Sequence, residues 1–350
     1  MKKLILISTI IFLVSCSGNG DTNRNSSTET EQNYGNNGAP TSDEILARAE
    51  SLPELRSLLI GNTDSLYYSW YVNGGTAGEP HNMKSASKAI INALYGIALE
   101  KSWIDSLDTP VSDYLPEYFD SSMPDQNFDI TLEDLLTMRS GLRSTSFNNY
   151  SRWISSSDWI AYQINADLEY EPGTVMRYST GNSHLLGVIL ARITGQNLHQ
   201  LAQTYVFDSM DESIPTWDRD PLGNFLGGNN MHFSPESLYN LGRIYANDGF
   251  NSNGERLFNS DWIDKTFRVY GRSNFNNHGY GYHWWIDEFN GYEIRFAWGH
   301  GGQYLFWVPE IDLLAVTTSS NAQSGSSHGH RRQIFELLEE KIIPYFEANA

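Results

Sequence analysis

The stretch SASKAIINALYGIA, at residues 85–98, decides the fold because the spacing of apolar residues changes there. Apolar residues then recur every three or four positions, which predicts a helix. Ser85 and Lys88 are three residues apart in its first turn, so their side chains share one face. Burial and nearby positive charge would lower the pKa of Lys88 and let it accept the Ser85 proton. Alone, this spacing equally fits an N-cap serine followed by a surface lysine.

The segments on either side of this helix predict an antiparallel sheet. Short polar turns separate neighbouring strand patterns, which lie at residues 58–60, 66–72, 304–308 and 313–318. Further helical patterns lie at residues 131–138, 183–194, 234–244 and 331–346, with a capped helix start at residues 42–44. We therefore predict an α+β layered domain, with a mainly antiparallel sheet flanked by helices and an all-helical insertion.

The first residues predict a lipoprotein signal peptide at residues 1–15. Lys2 and Lys3 form a basic start, and the apolar run at residues 4–14 is shorter than a membrane-spanning helix. The run ends in Leu-Val-Ser before Cys16, the only cysteine of the sequence, as in a lipobox. We expect lipidation at Cys16, since several acyl chains give stable membrane anchoring. An ordinary signal peptide with an incidental cysteine is the alternative.

Residues 16–42 predict a disordered tether, because Ser, Asn, Gly, Thr and Glu leave almost nothing apolar to bury. One folded domain is predicted for residues 43–350. Ser17 follows the expected lipidated cysteine, and a residue other than Asp there is typical of lipoproteins sorted to the outer membrane. We therefore expect a protein of the cell envelope that is held on the outer membrane by its lipid and faces the periplasm.

The composition excludes several classes of function. There are 23 Lys and Arg residues against 42 Asp and Glu residues, a formal net charge of −19, which argues against binding to nucleic acid or docking through a basic patch. A single cysteine excludes a disulfide within the chain and a thiolate zinc cluster. His328 and His330 lie in a Ser/Gly-rich loop without a metal-binding pattern, so we expect no metal and no cofactor.

Two further blocks follow the Ser85 segment in the sequence. RYSTGNSHLLG occupies residues 177–187, and WGHGGQ occupies residues 298–303, just before the last strand pair. In this order the three blocks resemble the serine β-lactamase and penicillin-binding protein superfamily, in its class C β-lactamase-related branch. ITLEDLLTMRSGL at residues 130–142 and YGYHWW at residues 280–285 also match. The form YSTGNSH is most similar to 6-aminohexanoate-dimer hydrolases and related esterases.

The resemblance implies a serine hydrolase that cleaves an ester or amide bond of a small molecule through an acyl-enzyme. By motif, Ser85 is the nucleophile and Lys88 its proton partner. Tyr178 would act with Lys88 as general base, and as acid toward the leaving group. The backbone N–H groups of Ser85 and Gln303 would form the oxyanion hole.

The resemblance also implies a substrate-binding set. His300 occupies the place of the lysine in the Lys-Thr/Ser-Gly motif, and Gly301 and Gly302 would keep side chains away from substrate at the strand edge. Asn182 and Trp285 complete the set. Trp217 and Trp284 can also line an acyl-binding cleft, although core packing is the simpler explanation for all three tryptophans.

Two departures from the family motifs bear on the substrate. Thr180 stands where the Tyr-x-Asn motif has asparagine, and Asn182 lies two residues further on. Neutral His300 binds the carboxylate of a β-lactam less well than a lysine. Both changes favour ester or amide substrates. A β-lactamase or D,D-peptidase is the first alternative, and a non-catalytic envelope binding protein with the same fold is the second.

Overall fold

The computed structural model describes residues 38–320 and 327–349. The predicted signal peptide, Cys16 and the tether up to residue 37 lie outside these residues. In the part described, no helix is both long and apolar enough to cross a membrane. Helix α1 (Ser42–Glu50) begins with a capping box in which Thr41 and Glu44 bond each other's backbone N–H. Ordered chain therefore extends into the end of the range predicted as tether.

Eleven strands form two antiparallel sheets in the described residues. They are β1 (Leu55–Gly61), β2 (Leu66–Tyr71), β3 (His81–Asn82), β4 (Thr216–Trp217), β5 (Met231–Phe233), β6 (Gly271–Arg272), β7 (Gly279–Tyr280), β8 (Trp285–Phe289), β9 (Tyr292–Gly299), β10 (Gln303–Val308) and β11 (Leu313–Ser319). The main sheet has the order β2-β1-β11-β10-β9-β8-β7-β6, and the small sheet has the order β3-β5-β4.

The remaining helices surround the main sheet and fill the insertion. They are α2 (Lys88–Glu100), α3 (Val111–Tyr114), α4 (Leu132–Leu136), α5 (Tyr150–Ile154), α6 (Trp159–Ile164), α7 (Thr180–Thr194), α8 (Leu198–Ala202), α9 (Pro235–Ala246), α10 (Ser260–Phe267), α11 (Ser327–Leu337) and α12 (Ile343–Asn349). A π-helical stretch (Leu338–Ile342) joins α11 to α12. Helices α3 to α8 lie in sequence between β3 and β4, which is the predicted helical insertion.

The side chains of β10 point alternately into two hydrophobic cores, one on each face of the main sheet. Leu305 and Trp307 join the core that contains α2, α7 and α9. Tyr304 and Phe306 join the core that contains α1 and α11. Because successive side chains of a strand point to opposite faces, one fully buried strand can serve both cores. The predicted α+β architecture is confirmed.

Helix α2 passes through the first core, and residues 88–98 are all buried. Its amphipathic spacing predicted the helix correctly, but the helix starts later than predicted. Ser85 lies in a short 3-10 turn (Lys84–Ser87), and the α-helix begins at Lys88. The 3-10 turn that carries Ser85 packs on β9 and β10. Because α2 is buried on all sides, it holds this turn in place at the end of the main sheet.

Candidate active site

The 3-10 turn brings the two residues of the first motif together. Side chains three residues apart eclipse each other in a 3-10 helix. Lys88 Nζ accordingly lies 3.2 Å from Ser85 Oγ and donates a hydrogen bond to it. Lys84, the residue before Ser85, has a positive φ of 49°, which turns the chain sharply at the nucleophile position. Ser85 itself is half-buried, so its hydroxyl keeps an open side.

Lys88 is buried without a carboxylate partner. Its side chain is 1% exposed, and the ion pairs among the described residues do not include it. Its second hydrogen bond goes to the Gly228 carbonyl at 2.9 Å, and the Tyr178 ring centroid lies 5.1 Å from Nζ. Burial lowers the pKa of Lys88 to about 7. A large fraction of Lys88 is therefore neutral near pH 7 and can accept a proton from Ser85.

The Tyr178 phenol completes the group around the Ser85 hydroxyl. Burial raises the pKa of Tyr178, and a hydrogen-bonding interaction with Ser85 opposes the shift but is the smaller effect. The ring stacks on Trp285 at 5.4 Å and meets Tyr280 edge-on at 6.0 Å. A phenol with a raised pKa stays protonated near neutral pH. Tyr178 is thus suited to donating a proton, whereas Lys88 is suited to accepting one.

The turn between β9 and β10 lies next to the Ser85 segment. A Cβ atom at Gly299 would lie 2.1 Å from the Met83 carbonyl oxygen, so the end of β9 approaches the backbone two residues before Ser85. Gln303, the first residue of β10, is fully buried, and its side-chain amide bonds the Ser319 backbone in both directions. These bonds hold the start of β10, which carries the Gln303 N–H, against the end of β11, and the turn with Ser85 packs on β9 and β10.

The glycines of the third motif serve a different purpose from the one predicted for Gly302. Both Gly301 and Gly302 have positive φ, at 92° and 107°, where a side chain is strained. A Cβ atom at Gly302 would meet Ser319 Oγ at 2.5 Å and His330 Nε2 at 2.9 Å. Gly302 therefore allows close packing on β11 and α11, not passage of substrate. His300 is exposed in the same turn.

Two of the predicted substrate-binding residues lie in the protein interior. Asn182 is fully buried in the first turn of α7, where its amide bonds Ser140 Oγ at 3.1 Å. Trp285 is 2% exposed and stacks behind Tyr178. Both side chains therefore have little surface that a substrate could contact. They pack against residues of the site and help to hold them in place. Thr180, in the asparagine position of the motif, bonds Ser146 Oγ.

Trp217 and Trp284 are core residues, 7% and 0% exposed. The His328 side chain lies outside the described residues, and His330 Nε2 bonds Ser319 Oγ at 2.9 Å. Within the described ranges, no cluster of three or more His, Cys, Asp or Glu residues can hold a metal ion.

The Gly228 carbonyl is a site group that the sequence patterns do not indicate. Gly228 has a φ of 69°, and a Cβ atom there would lie 2.6 Å from Lys88 Cγ, so only glycine fits. Its neighbour Gly227 donates its N–H to His184 Nδ1 at 3.3 Å. The other ring nitrogen of His184 bonds Asp220 at 3.1 Å, and both side chains are fully buried. This pair attaches the Gly228 loop to α7 and so orients Lys88.

His283 supports the other side of the Lys88 segment. Its Nδ1 lies 3.3 Å from the Lys88 carbonyl oxygen, and its Nε2 lies 3.2 Å from Ser183 Oγ. Burial lowers the pKa of His283 to about 3, so the ring is neutral. A neutral ring that donates a hydrogen bond from Nδ1 accepts one at Nε2, here from the Ser183 hydroxyl. His283 therefore adds no charge beside Lys88, and burial alone lowers the pKa of the lysine.

Comparison with known proteins identifies the family of this chain. The sequence profile of the family described as Beta-lactamase matches residues 57–339, most of the chain. The chain belongs to the beta-lactamase family. The predicted superfamily and the predicted hydrolase class are confirmed at this level.

Proteins similar to this chain include two named as hydrolases and one named as a penicillin binding protein. A 6-aminohexanoate-dimer hydrolase of Paenarthrobacter ureafaciens is 23% identical over 84% of this chain and 82% of its own length. A D-stereospecific amidohydrolase from Streptomyces sp. superposes with a TM-score of 0.67 at 16% identity, covering 86% of this chain and 98% of that one. A penicillin binding protein from Bacillus halodurans superposes with a TM-score of 0.65 at 16% identity, covering 85% and 100%. The two structures share the fold of this chain.

Proposed function

We propose that this chain is a serine hydrolase that cleaves an ester or amide bond through an acyl-enzyme on Ser85. The observation that carries the proposal is the buried Lys88 in hydrogen-bond contact with the Ser85 hydroxyl and with no carboxylate partner among the residues that the structure describes. A lysine paired with a carboxylate would stay charged, whereas this one has a pKa lowered to about 7. It can act as the base that activates the serine.

The acylation step follows from the three side chains. Neutral Lys88 takes the Ser85 proton while Ser85 Oγ forms a bond to the carbonyl carbon. The N–H groups of Ser85 and Gln303 stabilise the oxyanion, an effect worth about 3 kcal/mol per donor in enzymes where it is measured. Tyr178 gives its proton to the leaving oxygen or nitrogen as the bond to carbon breaks, and the Lys88 ammonium restores the Tyr178 proton. Water then attacks the ester carbonyl on Ser85 while neutral Lys88 accepts its proton. The Lys88 ammonium gives that proton to Ser85 Oγ as the bond between Oγ and the acyl carbon breaks, which releases the acid and restores the free serine.

An ester or amide substrate is preferred over a β-lactam for two reasons. Exposed His300 replaces the lysine that would bind a β-lactam carboxylate, and Thr180 replaces the motif asparagine and bonds Ser146. The relative named for the 6-aminohexanoate dimer and the neighbour named an amidohydrolase support the same choice. The penicillin binding protein among the structural neighbours supports the alternative, a β-lactamase or D,D-peptidase.

A substrate comparison separates these possibilities. We expect the purified protein to hydrolyse p-nitrophenyl esters or short-chain amides, and to be labelled poorly by a fluorescent penicillin because His300 is a weak carboxylate ligand. Strong penicillin labelling at Ser85 without ester or amide hydrolysis would favour the β-lactamase or D,D-peptidase. Absence of both activities in a folded protein would favour the non-catalytic envelope binding protein.

We also propose that Cys16 carries the lipid that holds the enzyme on the outer membrane, facing the periplasm. The basic start, the short apolar run and the cysteine after Leu-Val-Ser support this location. A Cys16→Ser variant should lose incorporation of an alkyne-tagged fatty acid and leave the membrane fraction. Equal incorporation by the variant and the natural chain would contradict lipidation at this cysteine.

A further inference from the structure

Two phenylalanines stand exposed beside the stacked rings of Tyr178 and Trp285, although most large apolar side chains of the described chain are buried. Phe147 is 60% exposed and Phe275 is 41% exposed. Their rings meet edge-on with centroids 4.9 Å apart. They come from segments 128 residues apart in sequence: Phe147 begins a short 3-10 turn in the helical insertion, and Phe275 lies between β6 and β7. Exposed apolar rings that converge in this way are typical of a binding surface.

Hydrogen bonds between two segments that are distant in sequence hold Phe147 next to Tyr178. The three residues before Phe147 bond in step to residues 178–180: Ser144 Oγ donates to the Tyr178 carbonyl at 2.6 Å, Thr145 N donates to Ser179 Oγ at 3.1 Å, and Ser146 Oγ accepts from Thr180 N at 2.9 Å. The Phe147 ring centroid consequently lies 6.0 Å from that of Tyr178.

The Phe147 backbone is strained. Its φ is 55°, in the left-handed region where a bulky residue is an outlier. Backbone strain of this kind costs free energy and clusters at ligand-binding and catalytic sites. A strained residue whose ring stays largely in solvent gains little from packing in return. The strain therefore indicates a role in binding.

Phe275 connects this position to the end of β9. Its ring lies 5.8 Å from that of Trp285 and 6.1 Å from that of Trp298, two residues before His300. The pair thus spans the distance between the Tyr178 segment and the third motif. We call Phe147 and Phe275 the aromatic clamp. Neither ring carries a charge or a hydrogen-bond donor, so apolar contact and ring stacking are what the aromatic clamp offers, and an apolar group fits it.

We propose that the aromatic clamp binds the leaving group of the substrate, and that the enzyme prefers alcohols or amines that carry an aryl ring. The inference rests on the proposed function, in which Tyr178 protonates the leaving atom. The leaving group must then lie on the Tyr178 side of Ser85, where Phe147 is in contact with the Tyr178 ring. An aryl ring there would lose its hydration and stack against two aromatic side chains.

Two acetate esters test the clamp, because both give the same acetyl-enzyme and their alcohols have similar acidity. We expect kcat/KM for benzyl acetate to exceed that for ethyl acetate by about tenfold, the lower end of discrimination by an apolar pocket. Phe147→Gly and Phe275→Ala should each bring the ratio close to one. Glycine tolerates a φ of 55°, so Phe147→Gly should not lower Tm.

The matched control is Leu66→Ala. Leu66 is also an exposed apolar residue, but it lies on β2 at the opposite edge of the main sheet from the β6–β7 loop. The control should keep the benzyl preference. An unchanged ratio in both clamp variants, with intact ester hydrolysis, would overturn the clamp and leave the proposed function standing.

Binding of benzyl alcohol supplies a readout that needs no turnover. Calorimetry or ligand-detected NMR should show weaker binding in both clamp variants than in the natural chain and in Leu66→Ala. Equal binding in all four proteins would overturn the clamp even if no ester were hydrolysed. Loss of benzyl alcohol binding in the clamp variants together with absent hydrolysis would support the clamp and count against the hydrolase.

Discussion

Ser85→Ala is expected to lower kcat/KM for ester substrates by about 10⁴- to 10⁶-fold, as in serine hydrolases that lose their nucleophile. The physical reason is that no other described hydroxyl shares the hydrogen bond to Lys88 Nζ. Half-buried Ser85 contributes little to the core, so the variant should fold normally. The measurement is initial-rate hydrolysis of a p-nitrophenyl ester, with Tm recorded for both proteins.

Ser87→Ala is the matched control for this prediction. Ser87 belongs to the same turn, but its hydroxyl accepts a hydrogen bond from the Met231 backbone at 3.3 Å, whereas Lys88 Nζ bonds Ser85 and Gly228. It should retain most of the activity, with a modest loss of stability from the broken hydrogen bond, about 1 kcal/mol. Equal activity of Ser85→Ala and the natural chain would contradict the assignment of the nucleophile.

Lys88→Met is expected to lower kcat/KM by about 10²- to 10⁴-fold, the usual contribution of a general base. Methionine has a similar length and is compatible with a fully buried position, so the loss should be in chemistry and not in folding. The natural chain should lose kcat/KM as the pH falls below about 7, because protonated Lys88 cannot accept the Ser85 proton. This inflection should be absent from the residual activity of Lys88→Met.

Lys101→Met provides the comparison for Lys88→Met. Lys101 follows the end of the same helix and is exposed. It should keep both the rate and the inflection near pH 7. If the Lys88→Met profile kept that inflection, the titrating group would be a different one, and the role of Lys88 as base would be wrong.

The order of the three motifs in the sequence was enough to predict that Ser85, Lys88 and Tyr178 lie close together. Tyr178 is far from Ser85 and Lys88 in the chain, yet the structure brings the three side chains together as the family resemblance implied. The alternation of Ile294 and Phe296 with charged neighbours is a strand signal that the predictions above do not include, and it marks β9. The two-residue strands of the small sheet carry no detectable period.

Other parts of the site have no local sequence signal. Any residue can supply a carbonyl, so the Gly228 oxygen on Lys88 becomes visible only when the fold is known. The meeting of Phe147 with Phe275 depends in the same way on long-range packing. The distribution of roles between Lys88 and Tyr178 also required the structure, because burial lowers the pKa of the first and raises that of the second. The family resemblance assigned both residues to the general base and Tyr178 also to the acid, whereas the pKa shifts favour Lys88 as the base and Tyr178 as the acid.

Labelling with a fluorophosphonate tests the acyl-enzyme mechanism most directly. The probe forms a phosphorus–oxygen bond with an activated serine and releases fluoride. Intact-mass measurement should show one adduct, and peptide mapping should place it on Ser85 in the natural chain, with no adduct in Ser85→Ala. An adduct on another residue, or unreacted folded protein, would contradict the nucleophile that Lys88 is proposed to activate.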